Sequence, residues 1–336
     1  MRSGIFFLIC LVVGGAVFAG AMALGNDYVF FAGYVVLKYV VLATAWNILG
    51  GYCGYVNFGS AAFFALGAYS TVAIYRFYPP LPIPFLLVAG GAVAVVVGFG
   101  MGYLTLRLRG AFFAIATLAL AVVLETLIVN WDYVGGSRGA FIVRPEVIAP
   151  FGNYVRYLFL IMLLLAVVAL TIARLIERSR LGYGFATIRD DELAAEASGV
   201  PTLKLKLIAT TISGALMGMA GAPFPYYIGY LQPSSTFGLE YAINSIAMPL
   251  IGGTTSWVGP LFGAILLGSL QQIATVTISS AINLLIVGFL LVGFVIAAPN
   301  GIVGLVNRYI QHKPVGRVGR RRVGADAARP APGSAP

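Results

Sequence analysis

Charge is scarce in this chain, and reactive side chains are scarcer. Of 336 residues, 10% are charged, two are cysteine, three are tryptophan and one is histidine. Cys10 and Cys53 lie far apart, each within or beside an apolar run, which excludes a disulfide framework; with His312 as the lone histidine, no zinc site can be assembled either. Convergent nucleophiles, acid pairs and metal ligands are missing, so the chain is not read as an enzyme. No G-x-x-x-x-G-K-[ST] segment occurs, and ATP cannot be bound here in the P-loop manner. If nucleotide drives this protein, a separate subunit hydrolyses it, and no cofactor is expected in this chain. The net charge of +10 does not indicate nucleic acid, because the basic residues lack interleaved aromatics and sit in loops between apolar segments, the pattern of membrane topology.

What fills the chain instead is apolar. Hydrophobic residues make up 60% and the mean hydropathy is +0.94, against about 45–50% apolar and about 25% charged residues in an average soluble domain. Glycine, proline, asparagine and charge clusters divide the sequence into spans near 5–24, 28–49, 60–77, 83–105, 111–130, 154–176, 205–222, 240–253, 260–277 and 282–298. Most approach the ~20 residues that carry a helix across the hydrocarbon. Glycine within the runs suits close helix packing and argues against alternating barrel strands. The expected fold is therefore all-α: a polytopic membrane helical bundle of about ten transmembrane spans.

Lys and Arg assign the two sides. One side collects Arg2, Arg107, Arg109, Arg174, Arg178, Arg180, Arg189, Lys204, Lys206 and a tail running from Arg308 to Arg329; the other holds Arg76, Arg138, Arg144 and Arg156. The positive-inside bias puts both termini in the cytoplasm, N-in and C-in. Arg2, the apolar stretch from Ile5 and Ala21-Met22-Ala23 resemble a secretory signal, but the stretch exceeds the ~7–15 residues of such signals, and an uncleaved first span is expected. Residues 1–307 then form the transmembrane domain, with a cytoplasmic loop at 177–204. Residues 308–336 form a basic tail with the Pro, Gly, Ala and Arg bias of a disordered end, placed against anionic lipid headgroups.

Two loops exceed simple connectors. The outer one, 131–153, carries "GGSRGAF", a tight-turn signal. The inner one holds "IRDDELAAEASGV", with four of the eleven acidic residues, Asp190, Asp191, Glu192 and Glu196. It reads as a short helix opening at Asp190 or Asp191 and closing at Gly199, ahead of Pro201. Acids in its first turn oppose the helix dipole, which accounts for the charge but not for Ala194, Ala195 and Ala197, small residues that permit a partner's close approach. "GGYCGYV" (50–56) and "GGTTSWV" (252–258) also share an aromatic and a valine at the same offsets, a likeness that Gly-rich membrane segments produce by chance.

Ala194-Ala195-x-x-x-Gly199, in a cytoplasmic loop of a polytopic chain, resembles the coupling loop of ABC importer permeases, whose usual signature is E-A-A-x-x-x-G. Leu193 stands where that signature has Glu, and Glu192 lies one position earlier. With "NILGGYCGYVNFGSAAFFALGAYS", "LRGAFFAIATLALA", "NWDYVGGSRG", "AGAPFPYYIGYLQPSSTFG" and "IGGTTSWVGPLFGA" in order along 42–299, the chain resembles the branched-chain amino acid permease family, its longer M-type subunit. Departures include Val122 and Glu125, where the family often has a Glu and then an Arg, and Thr255, where glycine is common. The resemblance implies a bacterial inner-membrane importer of branched-chain amino acids or related amino acids and amides. It also implies a homologous H-type permease, two ATP-binding cassette ATPase subunits and a periplasmic binding protein as partners, with membrane lipids around it. ATPase coupling is assigned on this basis to Asp191, Glu192, Ala194, Ala195, Glu196 and Gly199.

Inside the spans, Lys38 and Glu125 are ionisable and therefore functional candidates; Lys38 alternatively snorkels or pairs at a helix interface. Asn57, Ser60, Glu125, Asn244 and Ser245 are the candidates for a polar translocation path, against the commoner use of such residues in interhelical hydrogen bonds. Pro223, Pro225, Pro233 and Pro249 mark possible helix breaks. A passive solute channel and an ion-coupled secondary transporter are the alternatives, and neither explains a small-residue cytoplasmic helix.

Overall fold

The computed structural model describes residues 3–77, 81–144, 147–148, 152–277 and 301–304, with isolated positions between 278 and 300. Among the described residues, seven helices are long and apolar enough to cross a membrane. They are α1 (Ser3–Ala23), α2 (Asp27–Asn47) prolonged by a π-helical turn (Ile48–Tyr52), α4 (Ile83–Thr105), α5 (Ala111–Val129), α6 (Tyr154–Glu177), α9 (Thr202–Gly221) and α13 (Val258–Thr277). Two further expected spans are helices as well, α3 (Ser60–Phe77) and α12 (Leu239–Gly252). The last expected span, 282–298, and the tail 308–336 lie outside the described residues. α12 has 14 residues and rises only about 21 Å, short of the ~30 Å hydrocarbon. Apolarity alone marked it as a span, but it ends at Gly252 and Gly253, inside the bundle.

The short elements complete the order. α7 (Arg180–Asp190) and α8 (Glu192–Ala197) join α6 to α9, while α10 (Phe224–Ile228) and α11 (Pro233–Thr236) lie between α9 and α12. Two small antiparallel pairings qualify the all-α expectation. β1 (Ala140–Phe141) pairs with β4 (Tyr230–Leu231), and β2 (Val147–Ile148) with β3 (Gly152–Asn153). The first ties the 131–153 loop to the chain after α10. The tight turn read from "GGSRGAF" is present, with Gly135 at φ +102° and Gly139 at φ +77°.

α2 runs through the middle of the bundle, against α6, α9, α12 and α13, and its residues from Lys38 to Asn47 are buried throughout. α3, α4 and α9 form a close-packed seam. A Cβ on Gly67 of α3 would overlap the carbonyl of Gly218 on α9, and one on Gly218 would overlap the Ala94 side chain of α4. Lipid gives no hydrophobic drive between helices, so such backbone-to-backbone approach is what binds them. The seam fixes α9 relative to α3 and α4, and α9 is the helix that follows α8.

Candidate functional site

At one end of the bundle, α7 and α8 form a continuous unit held by caps. Ser179 Oγ accepts from the backbone N–H of Leu181 (3.2 Å) and of Gly182 (3.4 Å), opening α7. Phe185 and Ile188 are buried and anchor α7 to the core. Asp191 then caps α8, its Oδ1 accepting from Ala194 N–H at 3.1 Å, a contribution of about 1 kcal/mol. Of the two acids offered as the helix start, Asp191 has that place, and Asp190 closes α7 instead. Gly199 ends the turn at φ +82°, a left-handed conformation that glycine adopts without penalty.

Glu192 is the hub of this end. Its Oε1 accepts from Lys206 Nζ at 2.6 Å, and its Oε2 accepts from the Tyr55 hydroxyl. Lys206 is 3% exposed on its side chain, and its other donors reach Tyr55 Oη (3.1 Å) and the Leu106 carbonyl (2.9 Å). Arg109 adds Nη2 to Glu196 Oε2 at 3.0 Å and Nε to Glu192 Oε1 at 3.7 Å. Glu196 Oε1 accepts from Thr202 Oγ1 at 2.8 Å. One short helix is thus fastened to α9, to the segment between α2 and α3, and to the turn between α4 and α5. Burial pushes the Glu192 carboxyl up, but hydrogen bonds from Lys206 and Tyr55 and the charges of Lys206 and Arg109 outweigh it and hold the group below its ordinary value. Charge-assisted bonds of this kind are the strong ones.

A second tie joins the same end. Glu177 Oε2, at the close of α6, accepts from Trp257 N–H (2.8 Å) and the Tyr52 hydroxyl (3.4 Å). Arg174 lies over the ring of Phe6 at 3.8 Å, and Arg189 Nη1 reaches the Gly51 carbonyl at 3.5 Å. The Gly50–Gly51 and Gly252–Gly253 segments, alike in sequence, also meet: a Cβ on Gly51 would lie 2.7 Å from the Thr254 carbonyl oxygen. Cys53 is buried beneath this cluster, and burial pushes its thiol up to about 12.

The family model for the branched-chain amino acid transport system permease component matches residues 28–295. The chain belongs to that family. This permease is 29% identical over 300 residues to the high-affinity branched-chain amino acid transport system permease protein LivM of Escherichia coli K12, covering 82% of this chain and 70% of that one. It is 24% identical to the probable branched-chain amino acid transport permease protein LivH of Methanocaldococcus jannaschii (74% of this chain, 83% of that one) and 23% identical to LivH of Escherichia coli K12 (79% and 91%). No solved structure matches it. The permease is a multi-pass membrane protein, and its relatives are transporters rather than enzymes.

The residues proposed for coupling divide by direction. Glu192 and Ala195 face inward, Ala195 being 5% exposed. Asp191, Ala194, Glu196, Ala197 and Gly199 are exposed, and Leu193 is 63% exposed. The outward face of α8 is thus Leu193, Ala194 and Ala197, while Ala195 packs within the permease.

The proposed path residues do not form one group. Asn57 Oδ1 accepts from Gly59 N–H (2.7 Å), and its carbonyl accepts from Trp46 Nε1 (2.9 Å), bracing the loop ahead of α3. Ser60 is buried at the start of α3. Ser245 Oγ donates back to the Tyr241 carbonyl (2.7 Å) of its own helix. Glu125 is half-buried on α5, with no hydrogen bond or ion pair among the described residues. Asn244 is different: its Nδ2 donates to the Tyr39 hydroxyl (3.3 Å) and its Oδ1 accepts from Gln271 Nε2 (2.8 Å), linking α2, α12 and α13 at the bundle's centre. Sequence reasoning missed Tyr55, Lys206 and Arg109 as functional residues. A lysine recurring two positions after Lys204, inside an apolar helix, was the one local signal for Lys206.

Proposed function

We propose that this permease is one of two membrane subunits of an ATP-driven importer that moves branched-chain amino acids across a bacterial inner membrane. The α7–α8 end and both termini face the cytoplasm, where Lys and Arg accumulate. The homologous second subunit is of the H-type, represented among the relatives by LivH proteins. Of the two ATPase subunits, one docks on the Leu193, Ala194 and Ala197 face of α8, and a periplasmic binding protein delivers substrate at the opposite end. The 177–204 loop carries the stroke.

The carrying observation is the Glu192 hub. A helix that is exposed on one side and fastened on the other to α9, the α2–α3 segment and the α4–α5 turn transmits displacement to three places at once. Packed elements respond to such displacement by switching between discrete arrangements rather than by stretching. This chain contributes no chemistry; the partners hydrolyse ATP, and its own residues conduct motion and line the route.

The test is uptake of labelled leucine by proteoliposomes holding the permease pair, the ATPases and the binding protein, with wild type compared with Gly199→Pro and Ala194→Glu. Uptake is expected to require ATP and to fall about tenfold or more in both variants, the loss that about 1.4 kcal/mol of coupling free energy carries. ATP-independent uptake would return the reading to a channel or an ion-coupled carrier. Undiminished uptake in both variants would remove the loop from the coupling route.

A further inference from the structure

Lys38 sits at the midpoint of α2, roughly 16 Å along the helix from Asp27 at ~1.5 Å per residue, and is 4% exposed. Its stem does not reach a headgroup region, so it does not snorkel. Its ammonium lies 4.5 Å and 4.8 Å from the ring centroids of Tyr39 and Tyr241, and 5.2 Å and 5.9 Å from those of Phe224 and Phe64. The rings offset part of the cost of stripping water from a cation. They do not satisfy its three N–H donors. Among the described residues, Lys38 Nζ has no hydrogen-bond acceptor and no carboxylate within ion-pair distance. The field of Glu240 reaches it, but that carboxylate is exposed at the start of α12.

A second donor lies on the same helix. Tyr34, one turn earlier on the same face of α2, is fully buried, and its hydroxyl has no hydrogen-bond partner among the described residues. The nearby Asn244 amide is committed to Tyr39 and Gln271. The centre of the bundle therefore presents a buried cation and a buried hydroxyl, both lacking an acceptor, against a wall of aromatic rings.

We propose that Lys38 and Tyr34 form an anion-holding station on the translocation route, which takes the carboxylate of a small apolar amino acid while Phe64, Phe224 and Tyr241 receive its side chain. This rests on the reading of the permease as an amino-acid importer. A resident counter-charge would satisfy Lys38 permanently, whereas a travelling substrate must find the donors free and leave them free again. Lysine suits that task, because it offers a compact point charge on a flexible stem and not the rigid two-pronged grip of arginine. An ionisable group kept unpaired within a membrane is costly, and a transient anion accounts for its retention.

The test uses the assembled importer in proteoliposomes, with leucine as the transported probe. Lys38→Met is expected to lower leucine uptake about tenfold or more, the size of a lost hydrogen bond between charged groups. Lys38→Arg, which retains the charge, is expected to recover a large part of it, and Tyr34→Phe to raise the KM for uptake about threefold. Lys38→Met is also expected to melt at a higher temperature than wild type, because an unpaired buried charge is gone. A lysine kept only for its ring contacts would give a lower melting temperature, and that result overturns the proposal. So does Lys38→Met uptake within about twofold of wild type, or an equal loss in Glu240→Gln, which would make Glu240 the counter-charge. Should Lys38→Met fail to assemble, Tyr34→Phe carries the decision: an unchanged KM overturns the station. Wild-type vesicles that take up no leucine under ATP would instead overturn the importer reading itself.

Discussion

Lys206 and Lys38 are equally buried, at 3% and 4%, and keep opposite company. Lys206 has all its donors engaged, by Glu192, Tyr55 and the Leu106 carbonyl. Lys38 has ring faces and no acceptor among the described residues. Burial alone therefore says nothing about what a membrane lysine is for. A saturated charge behaves as a strut, since nothing is left over for a visitor, whereas an unsaturated one keeps its bonding capacity for something that arrives.

The largest break in this contrast is Lys206→Met. It leaves Glu192 with only Arg109 at 3.7 Å as counter-charge, a loss of up to about 3–5 kcal/mol, and thermal melting of the purified permease is expected to fall accordingly. Adding Glu192→Leu is expected to restore most of the stability, since an apolar pair replaces the ionic one, but not ATP-driven uptake. A double variant that transports like wild type would reduce the pair to a packing device. The sign is opposite to that expected for Lys38→Met, and running the two variants side by side makes the comparison sharp.

Acid probes the same strut more gently. Glu192 titrates below its ordinary value of 4.5 in the folded protein. The unfolded chain therefore binds its proton first as pH falls, so the stability from ionised Glu192 is complete above about 4.5 and is lost as pH drops through the folded value. Melting temperature plotted against pH is expected to decline over that window, and Glu192→Gln to flatten the decline. Below this in size comes Gly199→Ala. It places a Cβ in the left-handed region at φ +82° for about 1–2 kcal/mol, felt at the end of α8 and read as a partial loss of uptake with the fold retained. Smallest is Arg109→Ala. Its side chain is 48% exposed, and its pairs with Glu192 and Glu196 are worth about 0–1 kcal/mol each, so the change in melting is expected to vanish in high salt.

The helices were readable because glycine, proline and charge mark their ends. α3 occupies the expected 60–77, α4 the expected 83–105, and α8 opens at one of the two acids proposed. α12 also lies within one residue of the expected 240–253, but its status as a span was not readable, because apolarity does not distinguish a crossing from a helix that halts among its neighbours. The outline of the 177–204 loop could be seen, but its internal logic could not. Glu192 meets Tyr55 across 137 positions and Glu196 meets Arg109 across 87, separations at which spacing carries no signal. The acids beside the alanines, read as a supporting frame, include the residue on which the other elements converge. Among the alanines, Ala195 is turned inward by the same helical period that turns Ala194 outward.

If α8 swings as proposed, Cys53, buried beneath the cluster, is a built-in reporter of that motion. The thiolate reacts with alkylating reagents and the thiol does not, so a group that is fully buried and shifted to about 12 is chemically silent while the clamp is closed. Any swing of α8 that admits water to that spot brings the thiol back toward ordinary acidity. Alkylation of the native cysteine, timed against ATP turnover of the assembled importer in a Cys10→Ser background, would then count openings of the proposed transmission without a probe being engineered into it.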